Sequence, residues 1–185
     1  MKKRVFIAIN LPEPAKEELG KLISRCKKIN PNPAIRYVKY KAIHLTLHFL
    51  GDLEEKEIEK VKIILKNAAK IHRQTELVTE EISAFPNLKK PRVIFLGNQE
   101  KAGENLVNLQ QNLGQELEKT GIEVDHRIWH PHLTLARIVG SCQFKTEQIK
   151  LPNLKIPIKS IELMESRLDP YGADYKIIES YTLKN

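Results

Sequence analysis

Two short segments hold the residues best suited to chemistry: His44-Leu45-Thr46-Leu47 and, 88 residues later, His132-Leu133-Thr134-Leu135. Each lies in an alternating apolar run, HLTLHFLG over 44–51 and HPHLTLARIVG over 130–140. A period of two puts the His and Thr of each copy on one strand face and the leucines on the other. An imidazole gives or takes a proton near neutral pH. Two of them facing a common centre suit an in-line displacement at phosphorus. One takes a proton from the attacking water and the other protonates the departing oxygen. The hydroxyls of Thr46 and Thr134 are placed to donate to non-bridging phosphate oxygens as charge develops. One His-x-Thr in a strand reads as a surface histidine beside a β-favouring threonine; a matched pair at matched places points to a site.

Metal binding is the chemical competitor. Strict alternation puts His44 and His48 on one face, but four residues along a strand span about 13 Å, too far to share an ion. His130 and His132 are nearer, yet Pro131 between them distorts the strand, and no carboxylate falls in register with either motif. No metal and no cofactor is expected. Arg137 follows His132 by five residues, so strict alternation turns it away unless a bulge brings it round. Tyr37 and Trp129 precede the motifs; core packing is favoured over base stacking for both. Arg36, Lys39, Lys41, Lys89, Lys90 and Arg127 flank the motifs or the basic turn at 86–92, as RNA-backbone contacts or as solvated surface. Phe49, pointing away from His48, reads as core.

The elements that position these residues follow from periodicity. A buried strand over 4–10 leads to a helix from Pro14 to Ile29, with Ala15, Leu19, Leu22, Ile23 and Cys26 on one face. Residues 35–38 are extended, and the first motif strand closes at Gly51-Asp52. Leu53 to Ile71 is a helix, Leu77–Phe85 a strand, and Val93–Leu96 a buried strand. A helix through Leu106, Leu109, Leu113 and Leu117 ends near Gly121. Lys145–Lys150 makes a short helix, IPIKSIELME over 156–165 parallels 77–85, and Tyr175–Leu183 is the last strand. Arg4-Val5 recurs as Arg92-Val93 at the same 88-residue offset as the motifs. The order strand, helix, His-x-Thr strand, helix, strand therefore occurs twice, as in a duplication.

The expected fold is α+β: one domain over 1–185 built from pseudo-symmetric halves of about 1–85 and 86–185, whose lobes can exchange strands. Each lobe has an antiparallel sheet backed by helices, with a groove between the lobes. A hydrophobic content of 41% excludes disorder, and no apolar run is long enough to span a membrane. Pro12, Glu13 and Pro14 cut the first apolar run too early for an export signal, so the cytoplasm is the expected location. Cys26 and Cys142 lie in no paired motif and read as reduced thiols. With 31 basic against 23 acidic side chains, a net charge of +8 favours a polyanionic partner such as nucleic acid.

The paired His-x-Thr-x motifs, together with VFIAINLP, HLTLHFLG, PRVIFLG, HPHLTLAR and ESRLDPYGADY, resemble the two-histidine phosphoesterases. Within them the sequence is most similar to the RNA 2′,3′-cyclic phosphodiesterase branch, also known as 2′–5′ RNA ligase or LigT. The resemblance implies a bilobal fold and metal-independent hydrolysis of RNA 2′,3′-cyclic phosphates to 2′-phosphomonoesters. It implies His44 as proton donor, His132 as proton acceptor, Thr46 and Thr134 at the phosphate, and Arg137 beside them. It also implies reversible, ATP-independent joining of tRNA halves. The partner is then RNA with 2′,3′-cyclic phosphate ends, tRNA halves among them, with no membrane and no obligate protein partner. This chain departs from the family in having Tyr37, Lys39 and Tyr40 where a tryptophan and prolines are usual. His48 is not a required motif residue. A non-catalytic nucleotide- or RNA-binding module, or an enzyme for a small cyclic nucleotide, are the alternatives.

Overall fold

Apolar spacing sets the helices. The computed structural model describes residues 2–97, 103–152, 154–169 and 172–185. Helix α1 (Glu13–Ile29) follows strand β1 (Lys3–Asn10), with Pro14 in its first turn and Ala15, Leu19, Leu22, Ile23 and Cys26 buried. Helix α2 (Glu55–Ile71) starts in a capping box, in which Glu54 and Glu57 each satisfy the other's backbone N–H. Helix α3 (Glu104–Lys119) stops where Gly121 takes φ +82°. Gly121 N–H then donates to Glu118 O at 2.9 Å and Ile122 N–H to Leu117 O at 3.2 Å, a Schellman ending.

The remaining strands are β2 (Ile35–Tyr37), β3 (His44–Leu53), β4 (Thr75–Thr79), β5 (Glu81–Phe85), β6 (Val93–Gly97), β7 (His132–Ile138), β8 (Leu154–Ile158), β9 (Ser160–Asp169) and β10 (Gly172–Thr182). Eight of the ten strands among the described residues join one antiparallel sheet with two arms. One arm runs β10-β9-β1-β3; the other has β7 between β2 and β6, with β5 beyond β6. The arms are thus not the two halves of the sequence. Strand β5 leaves the first half to join β6, and β9 and β10 leave the second half to join β1.

Two expectations change here. Leu77–Phe85 is two strands, broken at Glu80, and 156–165 is broken likewise at Lys159. The alternation reads through both breaks because each crossing segment stays extended while it changes sheet. Its first part pairs with its counterpart as β4–β8, Leu77 opposite Ile156, and its second part enters an arm. Lys145–Lys150 forms no helix, only one turn closed by Ile149 N–H to Thr146 O at 2.9 Å; six residues cannot offset the cost of helix nucleation. Of the ESRLDPYGADY segment, Pro170 and Tyr171 lie outside the described residues.

The main core fills the helix side of the sheet. Val5, Ile7 and Ile9 of β1 meet it, each side chain worth about 1.5–3 kcal/mol when fully buried. Helix α2 packs on β9, β10 and α3, and α3 packs on β3. Phe6 and Ala8 point to the opposite face, where they form a small cluster with Met164 and Tyr175. Cys26 is buried and Cys142 half-buried, both free, and burial pushes the Cys26 thiol up to about 11. No helix of the described residues is long and apolar enough to cross a membrane.

Candidate active site

The two arms meet at one residue pair, Leu45 of β3 opposite Leu133 of β7. Both leucines are buried in the main core. Antiparallel counting from that pair sets His44 across from Thr134 and Thr46 across from His132, all on the face away from the helices. A local twofold through the leucine pair therefore relates two His/Thr diagonals, and all four polar residues are half-buried.

Matched bulges re-aim the residues beyond each motif. Across β6 and β7, Phe95 pairs with Thr134 and Ile94 with Ala136, so Leu135 is an extra residue. Across β1 and β3, Ala8 pairs with Thr46 and Ile7 with His48, which makes Leu47 extra at the equivalent place. Each bulge turns two successive residues into the core, Leu47-His48 and Leu135-Ala136, all buried. The next residue, Phe49 or Arg137, returns exposed to the His/Thr face. The arginine that strict alternation turns away is thereby brought round.

His48 and Phe49 correct the sequence reading for the same reason. His48 does not share a face with His44. It lies against α3, 5% exposed, with Nε2 2.8 Å from the Gln110 carbonyl. Gly114 leaves room for the ring, since a Cβ there would sit 3.1 Å from His48 Cε1. Phe49 is not core but 63% exposed, its ring 6.2 Å from that of Phe6. Phe49 precedes Arg137 by 88 residues, so the groove carries an aromatic ring at one end of its twofold and a guanidinium at the other.

Each motif imidazole is held the same way. His44 Nδ1 lies 2.8 Å from the Ala42 carbonyl, and His132 Nδ1 lies 2.7 Å from the His130 carbonyl. A carbonyl only accepts, so Nδ1 carries the proton in both rings and the neutral Nε2 keeps its lone pair. Aromatic rings fix the orientation: Phe6 and Tyr175 at 4.9 and 4.8 Å from His44, Phe85 and Phe95 at 5.0 and 5.3 Å from His132. Burial lowers both pKa values from the ordinary histidine range, outweighing the carbonyl bonds that raise them. The Arg137 charge pushes both in the same direction, as does Lys16 on His44, and His132 bears on His44 as well. Arg137 therefore lies within electrostatic reach of both imidazoles, and His132 within reach of His44.

A buried polar chain behind His44 has no counterpart in the sequence reading. Lys16, 7% exposed, donates from Nζ to Asn10 Oδ1 at 2.7 Å and to the Lys41 carbonyl at 3.0 Å. Asn10 is the cross-strand partner of His44, and its N–H donates to Glu162 Oε2 at 2.7 Å. Glu162, 2% exposed, accepts on its other oxygen from Ser160 Oγ at 2.5 Å and Ser180 Oγ at 2.9 Å. Burial lowers the Lys16 pKa, while Glu13 and Glu162 oppose that shift. The chain braces the 3₁₀ turn Tyr40–Ala42 that supplies the carbonyl to His44. Scattered single residues far apart in sequence build it, so no local spacing announces it.

The other candidates divide between core and surface. Trp129 is half-buried against the core, and its Nε1–H donates to the Thr46 carbonyl at 3.0 Å, tying the approach to β7 onto β3. Tyr37 packs half-buried with its hydroxyl 3.4 Å from the Asn30 carbonyl, and burial raises its pKa. Arg127 is ion-paired with Asp125. Arg36, Lys39, Lys41, Lys89 and Lys90 are all exposed. Among the described residues no three His, Cys, Asp or Glu side chains come together as a metal site.

The profile of a family described as LigT-like phosphoesterase matches residues 9–95. A protein of Methanocaldococcus jannaschii named RNA 2′,3′-cyclic phosphodiesterase is 30% identical over 96% of this chain and 99% of its own length. One of the same name from Methanothermobacter thermautotrophicus is 26% identical over 99% and 100%. Among solved structures, TT0787 of Thermus thermophilus superposes with a TM-score of 0.82 at 26% identity, over 97% of both chains. E. coli LigT complexed with 3′-AMP superposes at 0.80 and 23% identity over 100% of both, a likeness of fold.

Proposed function

The chain belongs to the LigT-like phosphoesterase family, and from that premise we propose that it hydrolyses RNA 2′,3′-cyclic phosphate ends to 2′-phosphomonoesters without a metal, by general acid–base catalysis. The observation that carries this reading is the pair of imidazoles on one face, each with Nδ1 tied to a carbonyl and Nε2 left for the groove. The cyclic phosphate sits between them. His132 Nε2 takes a proton from water as its oxygen attacks phosphorus. The P–O3′ bond breaks in line, and His44 gives its Nε2 proton to the departing 3′-oxygen, leaving a 2′-phosphate. Each proton transfer typically contributes about 10²–10⁴-fold. Thr46 and Thr134 donate to the non-bridging oxygens and Arg137 offsets their charge.

At neutral pH both resting imidazoles are uncharged, because burial and Arg137 lower their pKa values. The bound phosphate reverses that sign: an anion between them favours protonation of one, which arms the acid only when substrate is present. With a 5′-hydroxyl in the place of water, the same displacement forms a 2′–5′ linkage, the ATP-independent joining expected for tRNA halves. The exposed Phe49 ring offers a base a stacking surface at the far end of the groove.

The test is an RNA oligomer with a 2′,3′-cyclic end, incubated in excess EDTA. The 2′-phosphate is the expected product, lost by His44→Ala. No product, or unimpaired turnover by that variant, overturns the proposal.

A further inference from the structure

We propose that Arg36, beside Arg137, forms a second phosphate subsite for the internucleotide phosphate next to the reacting end. The inference rests on His44 and His132 being the reacting centre, and makes the protein selective for oligonucleotide ends over mononucleotides. Strand β2 pairs along β7 with Arg36 directly opposite Arg137. Directly paired residues share a face, with Cβ atoms about 5 Å apart. The neighbouring pairs agree: Ile35 with Ile138 and Tyr37 with Ala136 both lie on the core side, and both arginines are exposed. The Leu135 bulge fixes that face as the one carrying His132 and Thr134, and the Arg137 charge is felt at both imidazoles.

Two guanidiniums facing each other across one strand pair repel, a disfavoured arrangement that an anion between them relieves. Among the described residues neither has an acidic partner, whereas exposed Arg127 is paired with Asp125 and Arg167 with Glu165. The guanidinium fork suits phosphate oxygens, two at a time. Arg36 stands one strand outboard of Arg137, a step of the same order as that between successive phosphates of an RNA strand. A cyclic mononucleotide has no phosphate to place there.

The experiment measures binding of two probes, a trinucleotide ending in a 2′-phosphate and the corresponding nucleoside 2′-phosphate, to the wild type, Arg36→Gln and Arg36→Lys. Hydrolysis of the matching cyclic forms is followed in parallel. Arg36→Gln is expected to weaken the trinucleotide about tenfold, at least five times more than the mononucleotide. It should also flatten the slope of log affinity against log salt by about 0.7, one phosphate contact on a single strand. Arg36→Lys recovers the salt slope. Equal losses on both probes, or no loss, overturn the subsite. Wild-type protein that binds the trinucleotide through Arg36 but hydrolyses neither cyclic form would leave the subsite standing and remove the proposed reaction.

Discussion

Replacing His48 with alanine separates the two faces of β3. Strict alternation would make this residue a neighbour of the substrate; the bulge at Leu47 makes it the dock for α3. The variant loses the Nε2–H bond to the Gln110 carbonyl, a net contribution of about 1 kcal/mol. It also leaves space beside Gly114, and large-to-small changes at buried sites cost about 2–5 kcal/mol. A total of roughly 3–6 kcal/mol, at about 2–4 °C per kcal/mol for a chain of this size, lowers Tm by about 6–24 °C. Thermal unfolding followed by circular dichroism reads that shift, and kcat at saturating substrate, well below both transitions, should stay within about twofold.

There is a pH signature as well. Burial lowers the His48 pKa in the folded protein. Below about pH 6.5 the unfolded chain therefore takes up a proton that the folded one does not, and stability falls as pH drops toward the folded value. His48→Ala removes this contribution, so its Tm should vary less between pH 6.5 and 5 than that of the wild type. An unchanged Tm together with a tenfold loss of kcat would refute the reasoning and return His48 to the groove.

The pH dependence of turnover tests the imidazole pair. Since both free-enzyme pKa values are lowered, kcat/KM should be bell-shaped with its maximum below pH 6.5, and the kcat profile should move to higher pH as the bound phosphate favours the charged imidazole; a flat rate from pH 5 to 9 contradicts this. Lys16→Met keeps the side-chain length but loses the bonds to Asn10 and the Lys41 carbonyl. We expect kcat to fall about three- to tenfold and the His44 limb of the profile to move up, because a neighbouring positive charge has gone; a lower kcat with an unmoved profile would mean general loosening instead. Thr46→Val and Thr134→Val each remove one donor to the developing charge. Either should lower kcat about tenfold or more with KM little changed, and a purely KM effect argues against transition-state contact.

Much of this was readable from residue order because the duplication repeats types as well as apolar rhythm. The 88-residue offset joins Arg4-Val5 with Arg92-Val93 and His44-Leu45-Thr46-Leu47 with His132-Leu133-Thr134-Leu135. The helices follow from stripes such as Leu106, Leu109, Leu113 and Leu117. The bulges were hidden because Leu47 and Leu135 look like ordinary members of an alternating run; only pairing to β1 and β6 shows them to be extra. The breaks at Glu80 and Lys159 were hidden because an extended residue between two sheets keeps the period of a strand. Comparing the halves two positions further would have set Phe49 against Arg137, the signal that Phe49 belongs on the groove face. The chain from Lys16 to Glu162 is purely tertiary.

The proposed reaction requires one phosphate held between His44 and His132. A crystal structure of the protein with an oligonucleotide ending in a 2′-phosphate tests it most directly. Both Nε2 atoms are expected within hydrogen-bond reach of oxygens on the same phosphate, with Thr46, Thr134 and Arg137 on the others. A phosphate touching only one imidazole, or bound away from the Leu45–Leu133 junction, would contradict it.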